Sequence, residues 1–258
     1  MDAIVTAGGI PQPGEPLYEY TQGICKALLD IAGKPMIQWV LDALNGSQAV
    51  ERIVVIGLPE DSGIGNGKIA AFLPNQGGMV DNIRAGVVKV LELNPQANHV
   101  LLVSSDIPAI TSEMVDWIVK TTMQTDEDVY YSVVERRVME KRFPASKRSY
   151  TRLKDVEVCG GDMNMIRSSL ITANSELWER IISARKNVFK QAALIGFDTL
   201  ILLLLRRITL DSGVKMVTQR LKVTGRAIVC PYAEIGMDID KPHQLEMIRA
   251  DLARKVMA

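Results

Sequence analysis

The chain predicts an α/β fold, a three-layer α/β/α arrangement with a mostly parallel sheet, on three observations. Short apolar runs of strand length recur along it: Ala3 to Ala7, Arg52 to Gly57, His99 to Ser104, Val129 to Val134 and Arg226 to Cys230. Between them lie segments whose apolar residues fall at helical spacing, an alternation that builds parallel sheets under covering helices. Glycine pairs or carboxylates follow several of the runs, where open sheets of this class bind ligands.

At 258 residues the chain suits one large domain, with an inserted lobe at about 135–160 and a helical layer at about 174–222. Lys plus Arg equals Asp plus Glu at thirty each, so no global field draws in nucleic acid or an anionic membrane. Cys25, Cys159 and Cys230 are too scattered for a disulfide framework or a zinc site, and reduced thiols with no signal-peptide pattern indicate a cytoplasmic protein. The most apolar segment, 192–205, is shorter than the ~20 residues of a membrane span and reads as a buried helix.

Ala3-Ile4-Val5-Thr6-Ala7 opens into Gly8-Gly9, which can take positive φ and bring backbone N–H groups close to an anion. Lys26 adds a mobile positive charge, and Pro35 sits near the start of a helix bearing Met36, Ile37, Val40, Leu41 and Leu44. The second strand, Arg52 to Gly57, follows Asn45-Gly46. Ser62-Gly63-Ile64-Gly65-Asn66-Gly67-Lys68-Ile69 looks like a phosphate loop but fails on spacing and reads as a surface turn. Gly77-Gly78 precedes a helix carrying Val80, Ile83, Val87, Val88 and Leu91, a turn that can also offer backbone donors to a ligand.

The strand His99 to Ser104 leads to Asp106 and Pro108, where the carboxylate either initiates a turn or faces a ligand at the strand's end. Thr111 is placed to cap a helix with Val115, Ile118 and Val119. After Val134 regularity is lost until about Val156, in a stretch with Arg136, Arg137, Lys141, Arg142, Lys147, Arg148, Arg152 and Lys154. This basic excess suits an anionic acceptor, with Arg142 and Arg148 the candidates, or a solvated face. Its few aromatics argue against a nucleic-acid platform.

Gly160-Gly161 then returns the chain to a strand, with Asp162 or Asn164 available to an acceptor. Helices are expected over 174–184, 188–206 and 214–221. Asp238 and Asp240 alternate, so an extended segment points both to one side, although Asp240 before Lys241-Pro242 is also a good helix N-cap. His99 and His243 fit no hydrolase triad or zinc spacing.

The strand, the Ala7-Gly8-Gly9 loop and the run Lys26-Ala27-Leu28-Leu29-Asp30-Ile31-Ala32-Gly33-Lys34-Pro35-Met36 together resemble the signature of nucleotidyltransferases with a Rossmann-like, glycosyltransferase-A-like fold. These are the sugar-phosphate and MobA-like nucleotidyltransferases. The resemblance implies that Ala7, Gly8, Gly9 and Lys26 hold a triphosphate, and that the loop of Gly77, Gly78 and Asn82 meets the base. It also implies that Asp106, with Asp240 and Asp238, binds a metal, and that Lys26 and Asp106 are catalytic. Well-separated carboxylates are what Mg²⁺ or Mn²⁺ would use. The implied reaction transfers NMP from an NTP to a small phosphorylated acceptor, with release of pyrophosphate. A glycosyltransferase using a nucleotide sugar and an inactive nucleotide-binding regulator are the alternatives. Oligomeric state is left open, a homo-oligomer included. The loop from Ile10 to Cys25 lacks the family's usual Arg, and Cys25 stands where the family has Pro; Lys34 or a lobe arginine is the expected substitute for that charge.

Overall fold

β1 (Asp2–Thr6) lies inside the main sheet, and its alternation accounts for the layers on either side. Ala3 and Val5 enter one core and Ile4 the other, as successive strand residues must. The computed structural model describes residues 1–65, 67–173 and 196–257.

After β1 come α1 (Tyr18–Thr21), a 3-10 turn (Lys26–Leu28), the small pair β2 (Asp30–Ile31) and β3 (Lys34–Pro35), α2 (Met36–Gly46), β4 (Arg52–Ile56) and β5 (Ile69–Leu73). The chain continues through α3 (Met79–Leu93), β6 (His99–Ser104), α4 (Ser112–Thr122), β7 (Val129–Glu135), α5 (Arg136–Arg142), β8 (Thr151–Arg152), β9 (Glu157–Gly160), β10 (Met163–Arg167) and α6 (Ser168–Ala173). From residue 196 it forms α7 (Phe197–Leu204), α8 (Leu210–Leu221), β11 (Gly225–Cys230), a 3-10 turn (Ala233–Gly236) and α9 (Pro242–Met257).

The sheet runs β5-β4-β1-β6-β10-β7-β9-β8, with β11 on the other edge of β7. β5, β4, β1 and β6 are parallel; β10 is antiparallel to β6 and β7, and β11 is parallel to β7. The C-terminal ends of β1, β4, β6, β7 and β11 therefore open on one edge, where loops can meet a common ligand. β9 and β10 share one side of β7, β9 beside Val133 to Glu135 and β10 beside Val129 and Tyr130. The bend at Gly160 to Asp162 between them carries Asp162 to the end of β6, where its carbonyl accepts from the Ser104 N–H at 3.0 Å.

α2 and α4 cover one face with Leu41, Leu44, Val115 and Ile118, joined by Leu245, Ile248 and Leu252 of α9. α3 and α6 cover the other with Val87, Val90 and Ile171. This is the expected three-layer order.

Two local expectations are corrected, and one strand is added. The stretch after Val134 is not irregular: α5 forms at once, and β8 and β9 pair antiparallel and extend the main sheet from β7. β5, whose residues Ile69 to Leu73 are mostly half-buried, carries no clean alternation that would mark it in the sequence. Within 192–205, the described part is α7, which exposes Ile201 and Leu204 by 56 and 81% and so is not a buried helix. The helices expected over 174–184 and 188–195 lie outside the described residues.

Candidate active site

Lys26 stands between two carboxylates. Its Nζ lies 2.6 Å from Asp106 Oδ2 and 2.9 Å from Asp240 Oδ1. Burial alone would drive its ammonium towards deprotonation, but the two aspartates outweigh that and hold its pKa above the usual lysine value. The Ser104 hydroxyl donates to the other oxygen of Asp106 at 2.6 Å, which fixes the rotamer of that nearly buried carboxylate. Asp240 is the more open partner, with 56% of its side chain exposed. It does not cap α9, which begins at Pro242: its Oδ1 accepts from Lys26, while Gln244 Oε1, in the first turn of that helix, accepts from the N–H groups of Asp240 and Lys241.

The glycine loop is tied to Lys26 by backbone and side chain. The Lys26 N–H donates to the Gly9 carbonyl at 2.8 Å, and the Cys25 thiol donates to the Ala7 carbonyl at 2.7 Å. Burial raises the Cys25 pKa, so the sulfur stays a protonated donor. Gly8 and Gly9 do not take the positive φ that is open to them. Gly8 is needed for space: a Cβ there would meet the Asn75 amide group at 2.8 Å. Gly57, at the end of β4, does have positive φ (104°), and a Cβ on it would press into the Ala7 and Gly8 backbone.

Asn75 joins the two glycine loops. Its Nδ2 donates to Gly8 O at 3.1 Å, while its Oδ1 accepts from the N–H of Gly77 at 3.0 Å and from Asn82 Nδ2 at 3.2 Å. Asn82 Oδ1 accepts from the Gln76 N–H at 2.7 Å, and Gly78 is the extended N-cap of α3. Ala7, Gly8, Gly9, Gly77, Gly78 and Asn82 thus belong to one connected edge. Beside it, Gly9, Ile10, Glu15, Lys26 and Asp240 line a cleft of about 520 Å³.

Asp162 is half-buried on the same edge. Its burial, and then the charge of Asp106, push its pKa up to about 7. Arg148 forms an ion pair with Asp238 while Asp240 pairs with Lys26, so the two aspartates expected to act together meet different cations, on a segment that is not a paired strand. Arg142 is also corrected. Its guanidinium binds both oxygens of Asp251 at 2.9 and 2.7 Å and Glu234 at 2.8 Å, a structural clamp between α5, the turn after β11 and α9. Asn164 is consumed likewise, accepting from the Ser132 N–H and donating to Gly161 O, so it holds the bend that places Asp162 instead of facing an acceptor. Lys34 pairs with Asp42 at 2.6 Å and lies over the Trp39 ring, away from the role of substitute cation. Lys68 of the phosphate-loop lookalike donates to the carbonyl of Ser47, beyond the end of α2.

Residues 4–223 match the family model of the MobA-like NTP transferase domain. The chain belongs to this family. This nucleotidyltransferase relative is similar to a hypothetical transferase from Thermus thermophilus, at 32% identity over 95% of this chain and 98% of that one, with a TM-score of 0.81. Its fold also matches CMP:2-keto-3-deoxy-manno-octonic acid synthetase complexed with CTP, at 16% identity, 99 and 98% coverage and a TM-score of 0.58. A third match is 4-diphosphocytidyl-2C-methyl-D-erythritol synthase from Anaerococcus prevotii, at 14% identity, 97 and 95% coverage and a TM-score of 0.58. These two likenesses establish the glycosyltransferase-A-like fold. No curated protein matches the chain. Among the described residues, no helix is long and apolar enough to cross a membrane.

Ser104, Asn75, Gly57 and Cys25 are site residues that the sequence reading did not single out as such. Asn75 had a signal, an amide two residues before the Gly77-Gly78 pair; Gly57 had one too, a glycine ending a buried strand. Two carboxylates converging on one cation are a hard-oxygen donor set, and they fit Mg²⁺ or Mn²⁺ with other ligands from water and phosphate. Among the described residues, no three Asp, Glu, His or Cys side chains form a metal-holding group by themselves.

Proposed function

We propose that this family member is a metal-dependent nucleotidyltransferase that moves NMP from an NTP to a small phosphorylated acceptor. The observation that carries the reading is the Lys26 ammonium, bridging Asp106 and Asp240 while its own N–H holds the glycine loop. One oxygen of the acceptor phosphate attacks the α-phosphorus, the bond from that phosphorus to the bridging oxygen breaks, and pyrophosphate leaves. Protein nucleophiles are unnecessary; placement and charge neutralisation suffice.

The chain's own groups divide that work. Backbone N–H groups of Gly8 and Gly9 face the triphosphate, Lys26 neutralises its charge, and the Gly77-Gly78 loop meets the nucleoside. Asp106 and Asp240 would hold Mg²⁺, which supplies Lewis-acid stabilisation of the phosphoryl oxygens when bound. Orientation is worth up to about 7–11 kcal/mol and a metal several more, against the ~8 kcal/mol or more an enzyme must supply. The missing loop Arg therefore lowers affinity for triphosphate without removing the means of catalysis. Pairing each of the four NTPs and Mg²⁺ with a panel of small phosphates, and assaying pyrophosphate, tests the reading. Release of a nucleoside diphosphate from nucleotide sugars instead would identify a glycosyltransferase.

A further inference from the structure

α8 is amphipathic, yet none of its residues is buried. Leu210, Val214, Val217 and Leu221 fall at i, i+4, i+7 and i+11, so they form one stripe, and that stripe faces the apolar outer side of β7 and β9. Helix and sheet meet at β11 but do not close over β7 and β9. Between them lies a cavity of about 450 Å³, lined from the sheet by Val129, Tyr131, Val133 and Val158. Protein interiors have few voids larger than a water molecule, whereas apolar pockets of about 300–1,000 Å³ are the usual size for organic ligands.

The gap is held open by its ends. At the start of α8, the Leu210 N–H donates to Asp155 Oδ1 at 3.1 Å and the Lys154 N–H to Ile208 O at 2.9 Å. After its end, Thr224 and Asp128 exchange hydrogen bonds of 2.8 Å, from Thr224 N to Asp128 Oδ2 and from Asp128 N to Thr224 Oγ1. Thr218 also rests on Gly225, whose missing Cβ would meet the threonine methyl at 2.8 Å. A helix anchored at both ends cannot collapse on the sheet to fill the space.

This cavity reaches toward the edge that carries the candidate active site. Gly160 lines it, and two residues on the chain reaches Asp162. The Tyr131 ring is part of its wall, and the Tyr131 hydroxyl takes the place a Cβ at Gly160 would occupy. Burial raises the Tyr131 pKa first, and the nearby Asp162 charge adds to that. The described surface of α7, which packs on α8, adds the exposed apolar residues Ile201, Leu204 and Leu205.

We propose that the acceptor is an amphiphile: a monophosphate ester whose head lies by Asp162 and Arg148 and whose hydrocarbon chain lies between α8 and the sheet. This rests on the nucleotidyl-transfer reading for its polar end. The phosphate oxygen attacks the α-phosphorus, pyrophosphate departs, and the product is a nucleoside diphosphate ester of the hydrocarbon alcohol.

Calorimetric titration of the full chain with n-alkyl monophosphates from ethyl to decyl, below micellar concentrations, tests the apolar subsite without turnover. In the wild type, affinity is expected to rise about fourfold per added methylene, the equivalent of burying one CH₂, until the cavity is filled. Val217→Trp and Val214→Phe, which fill the cavity, should flatten that gradient and leave the affinity for ethyl phosphate unchanged. Equal affinity for ethyl and decyl phosphate in the wild type, or an unaltered gradient in both folded variants, overturns the proposal. Thermal shifts with NTP and Mg²⁺ separate the two readings. Nucleotide stabilisation with no chain-length gradient removes only the hydrocarbon subsite, whereas a gradient with no nucleotide stabilisation keeps the subsite and removes nucleotidyl transfer.

Discussion

The Asn75 side chain spans the two glycine loops, donating to the Gly8 carbonyl at 3.1 Å and accepting from the Gly77 N–H at 3.0 Å. A ligand that touches both loops meets a surface already set by one amide. Asn75→Ala removes these bonds, each worth about 1 kcal/mol net, and so is expected to weaken NTP binding by about tenfold. Titration with nucleotide checks this, and unchanged affinity would mean that the loops are set independently.

Gly57 supports the same loop from below. Gly57→Ala meets two costs: a left-handed backbone, about 1–2 kcal/mol, and overpacking against Ala7 and Gly8, about 1–3 kcal/mol. Gly63 also has positive φ, at 75°, but a Cβ there would have open space. Gly63→Ala should therefore cost only the first and leave nucleotide binding intact. Chemical denaturation of both variants measures the difference.

How much of this was legible in the sequence follows from how local each signal is. β1, its glycines and Lys26 are consecutive or nearly so, and apolar runs before glycine pairs are legible without tertiary knowledge. Asp106 and Asp240 were legible as carboxylates after strands, though only the fold brings them to one ammonium. Arg142 shows the limit. Its sequence neighbours are basic, but Asp251 and Glu234 arrive from about a hundred residues away and neutralise it. The roles of Asn164 and Gly57 were hidden for the same reason, because each acts on backbone that is distant in sequence.

Asp162 makes stability depend on pH in the metal-free protein. Its pKa is raised to about 7, so between about pH 4 and 7 the folded chain holds a proton that the unfolded chain has released. That contribution is present at the acid end of the window and is lost as pH rises through 7. Asp162→Asn should flatten this difference, and above pH 7 it should be more stable than the wild type by up to a few kcal/mol. Denaturation curves for both proteins from pH 4.5 to 8.5 check it; parallel profiles would show that Asp162 ionises normally.

Removing Lys26 leaves Asp106 and Asp240 facing each other near Asp162 with their shared cation gone. Lys26→Ala is expected to melt below the wild type in chelator and to gain more stability than the wild type from added Mg²⁺. The measurement is the melting temperature with and without Mg²⁺. An equal Mg²⁺ response in both proteins would show that these carboxylates do not attract a divalent ion.

The most direct test of the central claim is the melting temperature of the wild type, Asp106→Asn and Arg142→Ala with and without NTP and Mg²⁺. At one hundred times Kd, binding adds about 2.7 kcal/mol, which for a chain of this size is a shift of roughly 5–10 °C. The account predicts that shift in the wild type and in Arg142→Ala, whatever the latter's starting stability, and its loss in Asp106→Asn. A full shift in Asp106→Asn, or none in the wild type with any of the four NTPs, would contradict it.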